Sequence, residues 1–82
     1  MNIEEIREPI RVLAAFAGGQ AEPVRLEWAG RTYKISAVNC SWTDPSGEGY
    51  SLHYSVQVGD ETYYLHFDSV QVQWWLDQVV VQ

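Results

Sequence analysis

The sequence predicts an all-β or mainly β domain: a bent antiparallel sheet of five or six strands, either barrel-like or a half-open roll. From Pro23 onward, apolar and polar residues alternate in short runs, which is the period of a strand with one buried face. Turn residues separate these runs at short intervals, as they do in antiparallel sheets. The alternative is an α+β fold, in which an N-terminal helix packs on a five-stranded antiparallel sheet.

The N-terminal segment fits either fold. Asn2 and Glu5 have the spacing of a capping box, and apolar residues from Ile3 to Ala17 fall at helical intervals. Against a helix, Pro9 in its interior would cost about 3 kcal/mol. A strand over residues 9–17 accommodates the same segment, because its apolar residues also alternate. Periodicity alone leaves both interpretations open for residues 2–17.

A first hairpin is predicted over residues 24–35, around Ala29-Gly30. A two-residue turn there pairs Leu26 with Tyr33. Alanine is a poor first residue for such a turn, so a glycine-centred bulge that shifts the register stays open. After this hairpin the apolar residues move from odd-numbered to even-numbered positions, which predicts a β-bulge near Ser36-Ala37.

A second hairpin is predicted around Gly59-Asp60, where residues 50–58 pair with residues 61–67. Pairing Val58 with Glu61 makes both faces chemically consistent. The predicted core face contains Leu52, Tyr54, Val56, Tyr63, Leu65 and Phe67. The other face pairs His53 with His66 and Ser55 with Tyr64. In a last strand, over about 73–81, Trp74 and Trp75 must point to opposite faces.

The length and composition predict one domain, spanning residues 1–82. A core this small benefits from large aromatic side chains or from self-association. Cys40 is the only cysteine, so no disulfide forms within the chain. The first residues do not resemble a signal peptide, and no apolar run is long enough to span a bilayer. We therefore expect a cytoplasmic protein without a membrane segment.

The charge is divided unevenly along the chain. Residues 1–34 carry five acidic and five basic residues, whereas everything after Lys34 carries six acidic residues and no Lys or Arg. Nucleic-acid affinity comes largely from Lys and Arg that neutralise phosphates. The second half of the chain is therefore a poor candidate for a nucleic-acid surface.

Several motifs resemble those of a family of small uncharacterised bacterial β-domain proteins of the DUF6504 type. They are Pro-Ile-x-Val at 9–12, Trp-x-Gly-Arg-x-Tyr-x-Ile at 28–35 and the Trp-Trp-Leu strand that begins at Trp74. The resemblance covers roughly residues 9–80. It implies a strand at 9–17, and a similar module in polymerase-associated proteins implies an accessory nucleic-acid role in DNA repair. Ala29 stands where the family usually has a basic residue, which weakens that implication.

Two sets of residues are candidates for a binding site. His53, His66 and Asp68 share one predicted face, and two imidazoles with a carboxylate are suitable ligands for a divalent metal ion. The alternative is a pair of surface histidines that face each other across a hairpin, without a metal. The second set is a predicted interaction face that contains His53, Tyr64, His66, Trp74, Trp75 and Arg31. Exposed aromatic residues beside polar ones are typical of recognition surfaces.

From the sequence we expect a non-enzymatic protein-interaction module without a cofactor, with a protein partner or a homodimer as the form of interaction. The chain contains no phosphate-binding loop and no nucleophile motif. The accessory nucleic-acid role and a metal-binding role for the histidine pair are the alternatives.

Overall fold

The computed structural model describes residues 1–81, apart from the side chain of Ser46. This part of the chain contains seven β-strands and no helix. The strands are β1 (Asn2–Ala17), β2 (Gln20–Trp28), β3 (Arg31–Lys34), β4 (Ala37–Ser46), β5 (Gly49–Val58), β6 (Glu61–Asp68) and β7 (Gln73–Val81). The all-β prediction is confirmed. Among the described residues, no helix is long and apolar enough to cross a membrane.

The seven strands form one antiparallel sheet in the order β3-β2-β1-β7-β6-β5-β4, so β3 and β4 lie at its two edges. These two strands are nevertheless joined by only two residues. The amide of Ile35 donates to the carbonyl of Val24 on β2, and the next amide, of Ser36, donates to Gln57 on β5. Because consecutive residues bond to β2 and β5, the second strand from each end of the order, the sheet must curl until its two edge strands approach each other there. The result is a half-barrel.

The predicted number of strands, five or six, is too low. A bulge near Ser36-Ala37 would make one continuous strand of the residues that follow Arg31. The structure has two strands there, because the pairing with β2 ends at Ile35 and the pairing with β5 begins at Ser36. The phase change that suggested a bulge at Ser36-Ala37 marks this crossing. A bulge does follow nearby, at Asn39, between the pairs formed by Val38 and Cys40.

The N-terminal segment is a strand, so the helical alternative is wrong. β1 begins at Asn2, seven residues before the predicted start, and pairs first with β7 and then, from Arg11, with β2. An irregularity between Glu5 and Glu8 interrupts the pairing, and Arg7 there has a φ of +55°. This bulge breaks strict alternation, which explains why the apolar residues looked helical.

Both predicted hairpin registers are confirmed. In the first, Leu26 lies opposite Tyr33 across a two-residue turn. Ala29 and Gly30 both have positive φ, +52° and +77°, so alanine occupies a conformation that costs it energy. In the second hairpin, Val58 pairs with Glu61, and every predicted partner follows in register.

The core lies inside the curl of the sheet. Leu26, Val56, Leu65 and Leu76 are completely buried, or nearly so. The predicted core face is on this side, with Leu52 and Phe67 half-buried at its end. The hydroxyl of Tyr54 donates to the carbonyl of Ala21 over 2.6 Å, which ties β5 to β2 across the open side of the half-barrel.

Candidate functional site: a row of rings on the outer face

Four aromatic or imidazole side chains lie directly opposite one another on the outer face of four adjacent strands. Trp42 on β4 pairs with His53 on β5, His53 pairs with His66 on β6, and His66 pairs with Trp75 on β7. Directly paired residues in an antiparallel sheet point to the same face, with their Cβ atoms about 5 Å apart. The register of three strand pairs therefore builds one continuous row, which we call the ring row.

The rings of this row are stacked on one another. The centroid distances are 5.1 Å from Trp42 to His53, 5.3 Å from His53 to His66 and 6.3 Å from His66 to Trp75. The corresponding interplanar angles are 5°, 26° and 11°. Since the stacking direction runs across the strands, the rings stand upright on the sheet. Each imidazole therefore has another ring stacked on both of its faces.

Asp77 holds the imidazole of His66. Nδ1 of His66 lies 2.8 Å from each carboxylate oxygen, and an ionised carboxylate can only accept, so Nδ1 donates. The ladder between β6 and β7 shifts between Tyr64 and Leu65, which leaves Asp77 as an extra residue between Leu76 and Gln78. Bulges of this kind redirect a side chain. Here the bulge brings the carboxylate to the imidazole of the neighbouring strand.

A second carboxylate stands beside the other histidine. Oδ2 of Asp44 lies 3.3 Å from Nε2 of His53. Trp42 and Asp44 repeat on β4 the Trp-x-Asp spacing of Trp75 and Asp77 on β7. Because these two strands run in opposite directions, a local twofold relationship through the His53–His66 pair relates the two halves of the row. Each imidazole has one indole and one carboxylate.

Three of these groups form a compact cluster of metal-ligating atoms. Ligand atoms of His53, His66 and Asp77 lie within 4.8 Å of one another, and all three residues are half-buried. The carboxylate beside the histidine pair is thus that of Asp77, whereas Asp68 serves another purpose. Oδ1 of Asp68 accepts hydrogen bonds from the backbone amides of Val70 and Gln71 in the turn between β6 and β7.

The predicted interaction face is divided by the structure. His53, Tyr64, His66 and Trp75 share the outer face. Trp74 lies on the inner side, where its ring contacts Tyr54 and Phe67.

Arg31 is exposed on the edge strand β3, opposite Trp28 and away from the ring row. The ring of Trp28 packs against Tyr33 and Tyr63, and its Nε1 donates to Glu8. The position of this indole is thus set by interior contacts and by an acidic residue of β1.

Sequence reasoning missed Trp42, Asp44 and Asp77 as members of the site. The repeated Trp-x-Asp spacing is a signal for them, since each copy lies on a strand that flanks a histidine strand. The face of Trp42 could not be read from alternation, because the bulge at Asn39 reverses the phase of β4. Asp77 shares the face of Trp75 by simple alternation, but the bulge that brings its carboxylate to His66 could not be read from the pattern.

A groove of about 650 Å³ lies elsewhere, between the Gly18-Gly19 turn and strands β4 and β5. Phe16, Tyr50 and Leu52 are its large side chains. Its lining contains no histidine, cysteine or charged residue. The hydroxyls of Thr43 and Tyr50 belong to the lining, but no histidine or carboxylate that could activate them lies in it.

Two inner tyrosines have altered acidity. Burial, with a contribution from the negative charge of Glu61 and from Tyr33, raises the pKa of Tyr63 to about 12. Burial and the nearby Glu22 also raise the pKa of Tyr54. Both phenols stay neutral in the folded protein well above neutral pH, as expected for hydroxyls enclosed by the core.

Comparison of the chain with protein-family models, curated proteins and solved structures found no match. The resemblance to the DUF6504-type family remains a prediction from the motifs alone.

Proposed function

We propose that this protein is a non-enzymatic protein-interaction module, and that the outer face of β4–β7 is its binding face. The ring row at the centre of this face is the observation that carries the proposal. Trp42 at one end is 45% exposed, and His53, Tyr64, His66 and Trp75 are half-buried. Contiguous aromatic groups that remain accessible on a small domain are characteristic of protein contacts.

The row supports binding because its side chains are already ordered. Each imidazole is stacked on both sides, and each has a carboxylate beside it. Side chains that must be immobilised on association cost about 0.5–1.5 kcal/mol each. That cost is reduced here, since stacking and hydrogen bonding have restricted the rings before a partner arrives. Indole rings also provide much of the energy of known interfaces.

The charge of the face indicates the chemistry of the partner. The face consists of residues after Lys34, which include no Lys or Arg, and Asp44, Asp68 and Asp77 all lie on it. Two copies of such a face would repel each other, because like charges would meet in the interface. We therefore propose a different protein as partner, one that presents basic residues around an apolar patch.

The accessory nucleic-acid role has less support. Single-stranded nucleic acids bind through bases that stack on exposed ring faces, beside basic residues that neutralise phosphates. In the ring row the faces of both imidazoles are occupied, and no Lys or Arg lies after Lys34. A catalytic role has less support too, because the lining of the groove beside the Gly18-Gly19 turn contains no histidine, cysteine or charged residue.

The test compares two aromatic substitutions in the full chain. Wild-type protein, Trp42→Ala and Phe16→Ala are immobilised and exposed to an extract of the source cells. Phe16 is the matched control, because it is an aromatic residue 78% exposed and on another part of the molecule. We expect wild type and Phe16→Ala to retain the same protein from the extract at low salt, and high salt to release it. Trp42→Ala should not retain this protein.

Two results would contradict the proposal. One is that wild type retains nothing beyond the bare support. The other is that Trp42→Ala and wild type retain the same proteins. Light scattering after size exclusion accompanies the test, and a dimer abolished by Trp42→Ala would show that a second copy occupies the face instead.

A further inference from the structure

We propose that His53, His66 and Asp77 form a binding site for a divalent transition-metal ion, with Zn²⁺ as the ion of choice. The proposal does not depend on a protein partner. It rests on ligand atoms of three side chains, from three adjacent strands, that lie within 4.8 Å of one another. Two imidazoles and one carboxylate are a ligand set known from zinc sites that keep a fourth position open.

The spacing of the ligand atoms is close to what the ion requires. Bonds of about 2.1 Å in a tetrahedral arrangement place ligand atoms about 3.4 Å apart. Asp77 and His66 already lie closer than this, at 2.8 Å. The other separations are at most 4.8 Å, so they need to contract by no more than about 1.4 Å, through rotations about side-chain bonds. The backbone of the sheet can stay in place.

The protein orders the ligands through their neighbours. The imidazoles are stacked between Trp42 and Trp75, which limits their rotation. Asp44 lies 3.3 Å from Nε2 of His53 and orients that ring, as carboxylates commonly do behind metal-bound histidines. Asp44 is thus a positioning residue and not a ligand. The indoles on either side also limit the access of water to the ion.

Metal binding requires a change in protonation at His66. Its Nδ1 carries a proton and donates a hydrogen bond to the carboxylate of Asp77. For Nδ1 and the carboxylate to hold an ion together, this proton must move to the other ring nitrogen or to solvent. No other reactant is needed.

The neighbouring thiol is removed for the test. Cys40 is an exposed free cysteine on β4, the strand that carries Trp42, and thiolates bind Zn²⁺ strongly. All proteins in the experiment therefore carry Cys40→Ser. Folding of each variant is checked by circular dichroism before titration.

Zn²⁺ is titrated into the full chain by calorimetry, with Co²⁺ in a parallel absorption experiment that reports coordination geometry. The matched variants are Asp77→Asn and Asp68→Asn, which remove one negative charge each from the same face. We expect one ion per chain and a loss of affinity of about tenfold or more in Asp77→Asn and in His66→Gln. Asp68→Asn should bind like the parent protein, because its amide oxygen still accepts the turn hydrogen bonds.

Three outcomes would overturn the proposal: no binding of Zn²⁺, equal affinity in Asp77→Asn and the parent protein, or an equal loss in Asp68→Asn and Asp77→Asn. The last would indicate nonspecific attraction by an acidic face. If His66→Gln does not fold, the two Asp→Asn variants still decide the question, since neither removes a ring from the row. A failure here leaves the protein-partner test unaffected.

Discussion

Nδ1 of His66 lies 2.8 Å from both carboxylate oxygens of Asp77, a residue eleven positions further along the chain. The contact exists because a bulge in β7 adds one residue to the strand at this point. Without the bulge, the Asp77 side chain would follow the regular pleat of the ladder. The hydrogen bond orients the imidazole of His66, on which the rings of His53 and Trp75 stack.

We expect Asp77→Ala to lower the free energy of unfolding by about 1 kcal/mol, because it removes the acceptor for a hydrogen bond at a half-buried site. Asp77→Asn should cost less, since its amide oxygen can still accept from Nδ1. Urea unfolding followed by circular dichroism measures both. Equal losses in the two variants would show that the charge, and not the acceptor, holds His66.

A second prediction concerns the open side of the half-barrel. The hydroxyl of Tyr54 donates to the carbonyl of Ala21, and Tyr54→Phe removes only this group. We expect a loss of about 1 kcal/mol in the free energy of unfolding, because a part-buried carbonyl loses its partner. Tyr50→Phe on the same strand is the control, since that side chain is 46% exposed and its substitution should be nearly neutral. Equal stability of Tyr54→Phe and wild type would show that the bond contributes nothing.

A third prediction concerns the turn between β2 and β3, where Ala29 has a φ of +52°. A side chain in this left-handed conformation costs about 1–2 kcal/mol, and asparagine tolerates it better than alanine. Ala29→Asn creates Asn-Gly, the preferred pair for a two-residue hairpin turn. We expect Ala29→Asn to raise the free energy of unfolding by about 0.5–1 kcal/mol, measured by thermal or urea unfolding. Ala15→Asn, at an exposed strand position, should be destabilising, and a gain there as large as at Ala29 would refute the explanation.

A fourth prediction concerns alkaline pH. In the folded protein the pKa of Tyr63 is raised to about 12 from its ordinary value of 10.0. The unfolded chain therefore loses this proton first as the pH rises, which favours unfolding. The stability associated with Tyr63 is fully present below pH 10 and is lost between about pH 10 and about pH 12, up to about 3 kcal/mol in total.

Urea unfolding at increasing pH measures this loss. The free energy of unfolding of Tyr63→Phe should fall less between about pH 10 and about pH 12 than that of wild type. The comparison uses this fall, because the variant and wild type differ in stability at neutral pH. Tyr64→Phe, on the outer face, is the control for removal of one phenol. A decline as steep in Tyr63→Phe as in the control would refute the assignment.

The sequence predicted those features that depend on local chemistry. Alternation and turn residues located the two hairpins with their registers, and the pairing of His53 with His66 followed directly from one of them. The core face of that hairpin was correct for the same reason, since register and face are linked when side chains alternate. The adjacent Trp74 and Trp75 guaranteed that one indole faces outward, and the structure shows that it is Trp75.

Bulges limited the prediction for the site. A bulge interrupts the alternation from which faces and partners are read, and the pattern of apolar residues does not locate the bulges at Arg7, Asn39 and Asp77. As a result, Trp42 and Asp77 were missed, and Asp68 was taken as the nearest carboxylate because it follows His66 on the same strand. The N-terminal segment looked helical for the same reason.

The sequence alone determined the all-β class, the hairpin registers and the absence of Lys and Arg after residue 34, because composition, alternation and turn chemistry are local properties of the chain. Only the tertiary structure decided that β3 and β4 lie at opposite ends of the strand order, that Trp42 and Trp75 stand at the two ends of one row, and that Asp77 joins the histidine pair. These relationships arise between segments distant in sequence. Their physical cause is the curling of one sheet around a small core, with bulges that direct each side chain.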